Sequence, residues 1–436
     1  MIERIAIILL FNLLFYLKTL GYKYCSDDCP ASKRPHSKPK WKHWLFVLES
    51  RERHGLQVDH ALTILLHAIT CVLLYVAFGA NDISFIAALL FTVNPATNQG
   101  SVWIAGRPYV WPALGMLMVM AFPYTVVLGF ALATHYTTGI FAPAILALLP
   151  GKFWLIFFMP MFWGLQLPRF WNSVKNKAKL EMFDEDKKIH PKKLILATKT
   201  FGFYISLALI PFKNTFYHSF LQSLAGSMRH KGYTLCRFFW IGVIAIISIV
   251  AYWVLVPWNL VSFGLLWWCV GIGMFLNFVR IHQEIAERYM YLPTVGLMYV
   301  LASAIIGNPY LIGGFLAMYA TKMWFYMDAY QDDYYLVEHS CMNSPNSWYA
   351  WHLRAMKRWD VNARQEAIHM WVMAKLISPK EFKLLMNISS ALRLSGNESE
   401  GLKFLAEAEK YIPPGQEKMA GEIIENAKNK KLTLLI

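Results

Sequence analysis

Residues 236–256 read CRFFWIGVIAIISIVAYWVLV. Arg237 stands at the start of the run, and no other formal charge interrupts it. An α-helix rises about 1.5 Å per residue, so about 20 apolar residues cross a hydrocarbon layer of about 30 Å. Within lipid every backbone N–H and C=O must be paired inside the segment, and a helix does that. The stretch therefore reads as a membrane-crossing helix.

Comparable runs lie on both sides of it. Candidate spans are 3–20, 60–78, 82–94, 108–122, 124–149, 151–168, 199–212, 236–256, 259–279, 289–306 and 309–327. The composition agrees: 56% of the 436 residues are hydrophobic and 16% charged, against roughly 25% charged in soluble domains. The expected fold class is all-α, a polytopic membrane bundle of about 11 spans. Residues 5–17 resemble a signal-peptide core, but no small-residue cleavage site precedes Lys18, so a retained first helix is expected. The spans 82–94 and 199–212 are short, and Thr134-His135-Tyr136-Thr137-Thr138 interrupts 124–149. Interrupted helices persist at membrane depth only where protein or a water-filled cavity covers them, which points to an internal cavity.

The formal charge is +15. Its cations lie in the connections between apolar runs, where they act on topology and meet lipid headgroups or phosphate; nucleic acid is not an expected partner. Eleven crossings with the N-terminus inside put the basic connection from Arg169 to Lys193 in the cytoplasm, as the positive-inside tendency asks. The same count puts the first loop, 94–107, 212–233, 280–288 and everything after about 328 on the outer face. The first loop and 212–233 are basic nonetheless, and cations held outside suit a lipid-linked phosphate. Within the first loop, Cys25-Ser26-Asp27-Asp28-Cys29 precedes a run rich in Lys, Arg and His. Cys25 and Cys29 could pair in an oxidising compartment or remain thiols. Cys71, Cys236 and Cys269 lie in or beside apolar helices and read as small core residues.

Past residue 330 the apolar spans stop. Pro345, Pro379 and Pro413 recur at a 34-residue spacing, the period of tetratricopeptide helix pairs. Ala374 and Ala408 hold equivalent positions, where a small residue lets two helices approach. Ser395-Gly396-Asn397 marks an inter-helix turn, and a closing helix is expected over 417–430. The expected organisation is a transmembrane domain over 1–328 and a short repeat domain over 329–436 that contacts a protein partner or acceptor.

Two stretches carry further information. One runs from His60 and His67, which share a helix face, through Asn94-Pro95 to Trp103-Ile104-Ala105-Gly106-Arg107; the other is Glu287-Arg288-Tyr289-Met290-Tyr291-Leu292-Pro293-Thr294-Val295-Gly296. With the repeat tail, they resemble the transmembrane and tetratricopeptide-repeat family of O-mannosyltransferases and their bacterial relatives, which are C-type glycosyltransferases. The resemblance implies transfer of a mannose-like sugar from a polyprenyl-phosphate donor to Ser or Thr of exported or luminal proteins. It places the active face and the C-terminal domain on the extracytoplasmic or luminal side. It also implies an aspartate base in the first outer loop, here Asp27 or Asp28, since the acceptor hydroxyl must lose its proton as it attacks the anomeric carbon. The departing lipid phosphate calls for cationic stabilisation, and Arg107, Arg280, Arg288, Arg229 and Lys231 are the outer-face cations available. His60, His67, Asn94, Gln99, Trp103, Glu287 and Tyr289 would line the cavity. No cofactor is implied beyond the lipid-linked donor, and no metal-ligand spacing is present around Asp27, His54, Asp59 or His60.

Structural roles compete with several of these. Arg107 could snorkel to headgroups, Glu287 and Arg288 could form an ion pair joining two helices, and either histidine could be a hydrogen-bonded packing residue. The family's His-Pro-x-His-x-Glu is replaced here by Asn94-Pro95-Ala96-Thr97-Asn98-Gln99, with two imidazoles and a carboxylate lost. That departure motivates the alternative of a catalytically inactive relative serving as a membrane anchor or assembly scaffold. A transporter or flippase is disfavoured by the lack of visible inverted-repeat symmetry.

Overall fold

The computed structural model describes residues 1–26, 56–134, 191–211, 213–218, 235–278, 285–412 and 417–429, with isolated positions elsewhere that include 432, 434 and 435. Among the described residues there are 17 α-helices and no strand. The fold is all-α.

The first part of the chain supplies α1 (Ile2–Tyr16), α2 (Leu56–Ala77), α3 (Asp82–Val93), the single turn α4 (Asn98–Ser101), α5 (Val110–Ala121) and α6 (Val126–Thr134). After these come α7 (Pro191–Leu209), α8 (Arg237–Leu255), α9 (Leu260–Gly273), α10 (Tyr291–Ile305) and α11 (Pro309–Met327). Their starts follow local chemistry. The Asn81 side chain accepts from the Ser84 amide while the Ser84 hydroxyl accepts from Asn81 N–H, a reciprocal cap that fixes the entry to α3. Asn308 caps α11, with Pro309 at its first position.

Among the described residues three helices are long and apolar enough to cross a membrane: Ile2–Gly21, Leu56–Ala77 and Arg237–Leu255. Helix α8 exposes Trp240, Ile244, Ile247, Val250 and Val254, a face that lipid would cover and water would not. The pattern is compatible with a membrane protein. Helix α11 matches the expected 309–327, most of the expected spans 124–149 and 151–168 lies outside the described residues, and some other apolar segments are shorter than the sequence predicts. The run 259–279 is helical only over Leu260–Gly273, and Asn277 beyond it takes a left-handed φ of 63°. The expected span at 108–122 divides into the end of a 3₁₀ turn, Ile104–Tyr109, and α5; Pro108, inside the turn, has no amide hydrogen to donate. Helix α7 corrects the expected boundary at 199. It starts at Pro191 and takes in Lys192, Lys193 and Lys199, of which Lys193 and Lys199 are buried.

Helices α9 and α10 meet backbone to backbone. A Cβ on Gly296 would stand 2.4 Å from the Gly264 carbonyl oxygen, so side chains are excluded from this crossing.

The tail forms α12 (Asp333–Asn343), α13 (Trp348–Asp360), α14 (Arg364–Ile377), α15 (Phe382–Leu394), α16 (Glu398–Glu409) and α17 (Glu417–Lys428). The starts of α13 and α15 differ by 34 residues, as do those of α14 and α16. The turns agree, with positive φ at Asn362 (64°) and Gly396 (91°). Ala374 and Ala408 are both fully buried. This geometry is compatible with tetratricopeptide-like helical repeats.

Tail and bundle share an apolar cluster in which Tyr16, Tyr22, Trp103 and Phe216 meet Met327, Tyr330, Leu336 and Val337. Polar contacts reinforce it. Lys18 pairs with Asp328 at 2.8 Å, the Tyr22 hydroxyl donates to the same carboxylate at 2.7 Å, and Lys23 N–H donates to the Gln331 carbonyl at 2.8 Å. Burial works to raise the Asp328 carboxyl, but Lys18 and Tyr22 outweigh it and hold it below its usual range.

Within the repeats His352 is fully buried, and its Nδ1 accepts from the Trp371 indole at 3.1 Å. Burial, with the Lys383 charge adding to it, pushes the imidazole down to about 3 from 6.5. The sign follows from proton binding. Below pH 6.5 the unfolded chain takes up a proton that the folded chain refuses, so stability is full above that value and falls as the pH drops toward 3. At pH 5 the repeats are expected to lose about 2 kcal/mol relative to pH 7. Denaturant unfolding followed by tryptophan fluorescence at the two pH values checks this. The loss should shrink in His352→Gln, and an unchanged pH dependence in that variant would reject the assignment.

Candidate functional site

Of the predicted residues that are described, His60, Gln99, Trp103, Arg107, Glu287, Arg288 and Tyr289 lie where the start of α2, the segment 94–109, residues 213–218 and the 3₁₀ turn Glu287–Met290 meet. The close turn depends on one glycine. A Cβ on Gly106 would lie 1.6 Å from the Gln99 carbonyl oxygen, so any other residue would force 104–109 away from α4.

Arg107 is 1% exposed, which excludes snorkelling to headgroups. Its Nη2 is 3.0 Å from Asp59 Oδ1 and also bonds the Asp59 carbonyl, and its Nε donates to Thr63 Oγ1 at 2.8 Å. Asp59 and Thr63 share one face of α2, four residues apart, and the Thr63 hydroxyl in turn donates to the Asp59 carbonyl. A buried ion pair of this kind is strongly destabilising to break from one side. The other carboxylate oxygen, Asp59 Oδ2, is buried with no hydrogen-bond partner among the described residues.

Glu287 does not serve as the ion-pair partner of Arg288. Its Oε1 accepts from Asn214 Nδ2 (3.1 Å), the Thr215 amide (2.8 Å) and His218 Nε2 (3.1 Å), and its Oε2 accepts from the Tyr326 hydroxyl at 2.9 Å. One fully buried carboxylate thereby ties residues 213–218 to the end of α11. Three of its four acceptor bonds fall on Oε1 and one on Oε2, so both oxygens are engaged.

Arg288 has a different setting. Its amide donates to Gln99 Oε1 at 3.1 Å. Its guanidinium carbon lies 5.8, 5.7 and 5.5 Å from the ring centroids of Trp103, Tyr109 and Tyr289, within cation–π range of all three. Tyr289 stacks on Phe275 with centroids 4.1 Å apart, and the Trp103 indole donates to the Cys25 carbonyl at 3.2 Å. Arg288 also borders a pocket whose other walls are Tyr109, Pro112, Gly271, Phe275, Tyr289 and Leu292. The result is a buried cation among aromatic rings, beside an apolar void of about 10 Å³, room for no more than one water.

The histidines separate by role. His67 Nδ1 is 2.7 Å from the Tyr291 hydroxyl and its Nε2 is 3.3 Å from the Thr92 carbonyl, inside a cluster completed by Tyr16, Asn12 and Cys71. That is a packing role. His60 is buried beside the Tyr22 ring, and neither ring nitrogen has a hydrogen-bond partner among the described residues. Asn94 is structural: its Oδ1 accepts from the Ala96 amide, and its Nδ2 donates to the Ala208 carbonyl at 2.9 Å.

Asp27, Asp28, Arg229, Lys231 and Arg280 lie outside the described residues, as do Cys29 and His54. Ser26, immediately before the acidic pair, donates its amide hydrogen to Asp333 Oδ1. Asp59, His218, Tyr109 and Tyr326 were not singled out from sequence as members of this cluster. Asp59 had a usable signal, since a carboxylate inside an apolar helix requires a partner; the aromatic pair and His218 had none. Among the described residues no three His, Cys, Asp or Glu side chains converge as a metal site would need. No protein-family model, curated protein or solved structure matches the chain.

Proposed function

We propose that the chain is an integral-membrane glycosyltransferase that uses a polyprenyl-phosphate sugar and modifies Ser or Thr of exported or luminal proteins. In this reading the apolar helices, including the short ones, complete a bundle of about 11 spans. The site and the tetratricopeptide tail share the extracytoplasmic face. The observation that carries the proposal is Arg288, a guanidinium buried among three aromatic rings. The donor is a phosphodiester anion on a hydrocarbon chain, and a cation set among aromatic and apolar side chains suits both halves. Arg107, held by Asp59 and Thr63, contributes positive potential rather than direct contact. Asp27 or Asp28 supplies the base.

The test is binding of undecaprenyl phosphate to the detergent-purified chain, read by native mass spectrometry. Arg288→Gln is expected to weaken binding about 10- to 100-fold, the range for loss of a charge-assisted contact. Equal binding by wild type and variant would remove Arg288 from the donor site.

One observation favours a non-catalytic anchor instead. Gln99, where the family carries Glu, uses its carbonyl oxygen to hold the Arg288 amide, so a residue of the lost acidic motif has a structural task. Under that reading the purified chain carries no prenyl phosphate and holds a stoichiometric protein partner.

A further inference from the structure

Helix α15 carries a polar group used in an unusual way for a helix-repeat interior. Asn387 is fully buried. Its Nδ2 donates to the Leu435 carbonyl at 2.8 Å, and its Oδ1 accepts from the Leu435 amide at 2.6 Å. One side-chain amide therefore reads both main-chain groups of a single residue, which fixes the register of a passing chain without regard to its side chains. His352 stands behind this clamp, with Nδ1 3.5 Å from Asn387 Nδ2 and bonded to the Trp371 indole.

The leucines beside the clamp enter two apolar clusters of the repeats. Leu434 packs against the group formed by Trp371, Leu384 and Ile388. Leu432 and Leu435 pack against Phe382, Leu385 and Ile424. All three leucines remain only partly buried, so the segment lies across the repeat surface and is not part of its interior.

We propose that this surface is a binding site for an extended, leucine-rich segment of another polypeptide, and that Leu432, Leu434 and Leu435 occupy it as an internal ligand. The chemistry of the internal segment defines the partner: one free main-chain N–H and C=O pair at the clamp, flanked by branched apolar side chains. A tethered occupant competes at an effective concentration on the order of millimolar. A partner in trans binds weakly while Leu432, Leu434 and Leu435 are seated and more tightly once they leave. The proposal does not rest on the glycosyltransferase reading.

The test uses the full chain in detergent and a fluorescent peptide of the sequence KKLTLLI, residues 430–436. In a variant carrying Leu432→Ser, Leu434→Ser and Leu435→Ser together, the internal ligand is lost and the peptide should bind with micromolar affinity. Wild type should bind it at least about tenfold more weakly, because its site is filled. The same peptide N-methylated at the residue matching Leu435 cannot donate to Asn387, and should bind the variant about tenfold less well. This second comparison leaves the protein unchanged, so misfolding cannot mimic it. Equal binding by wild type and variant, equal binding of the two peptides, or no binding to the variant would each overturn the proposal.

Discussion

Arg107→Met is expected to destabilise the folded chain by about 3–5 kcal/mol, the usual cost of stripping one partner from a buried ion pair. The cost comes from what stays behind. Asp59 is fully buried, Arg107 is the only cation bonded to its Oδ1 among the described residues, and its Oδ2 has no partner there at all. Methionine preserves much of the volume, so a cavity is not the main effect. The expected result is a large drop in thermal midpoint, followed by tryptophan fluorescence in detergent micelles. The double variant Asp59→Leu with Arg107→Met should recover most of the loss, since it removes both charges and leaves no orphan. A single variant that melts like wild type would show that Arg107 is not structurally paired. Lipid-phosphate contact would then become its primary role, and Arg107→Met should weaken undecaprenyl phosphate binding as Arg288→Gln does. The two arginines are thus separable: one should report on folding, the other on ligand.

Different parts of this chain were legible in the sequence to different degrees, for physical reasons. The tail was the most legible, because a 34-residue period is imposed by local geometry. Helix, turn and helix must close on themselves before the next pair stacks, and the starts of α13, α15, α14 and α16 keep that register. Long apolar runs were legible where composition alone suffices, as in α8 and α11, whose limits fall within a residue of those expected. Segments holding proline or glycine were less so. Apolar content extended the expected spans over 108–109, which belong to a 3₁₀ turn holding Pro108, and over 274–279, beyond the regular helix that ends at Gly273.

In the candidate site, residue types were legible and partners were not. Arg107, Glu287 and Arg288 stand out as charges near apolar runs. Which carboxylate meets which cation depends on elements far apart in sequence, such as α2 with the 104–109 turn, or residues 213–218 with 287. No local pattern encodes those pairings. The adjacent Glu287-Arg288 suggested an ion pair, yet consecutive residues of a 3₁₀ turn project in different directions, and each finds its own partners.

Asp27→Asn combined with Asp28→Asn is expected to reduce acceptor glycosylation by about 10²- to 10⁴-fold, the contribution of a positioned general base. The described carboxylates on the site's face strengthen this expectation, because they are engaged elsewhere. Arg107 holds Asp59, four donors occupy Glu287, and Lys18 and Tyr22 hold Asp328. Asp333 accepts from the Ser26 amide and pairs with Lys357 at 2.6 Å. A carboxylate that already accepts strong hydrogen bonds or pairs with a cation is a weaker base toward an incoming hydroxyl. The acidic pair next to Ser26 is therefore the best remaining source. Transfer would be measured with a radiolabelled polyprenyl-phosphate mannose and a Ser/Thr acceptor peptide, alongside the melting curve and undecaprenyl phosphate binding. Loss of transfer with both controls unchanged assigns the base, and the single variants then show which aspartate carries it. Full activity in the double variant would reject both residues and direct attention to Asp59 Oδ2, a buried carboxylate oxygen without a partner among the described residues.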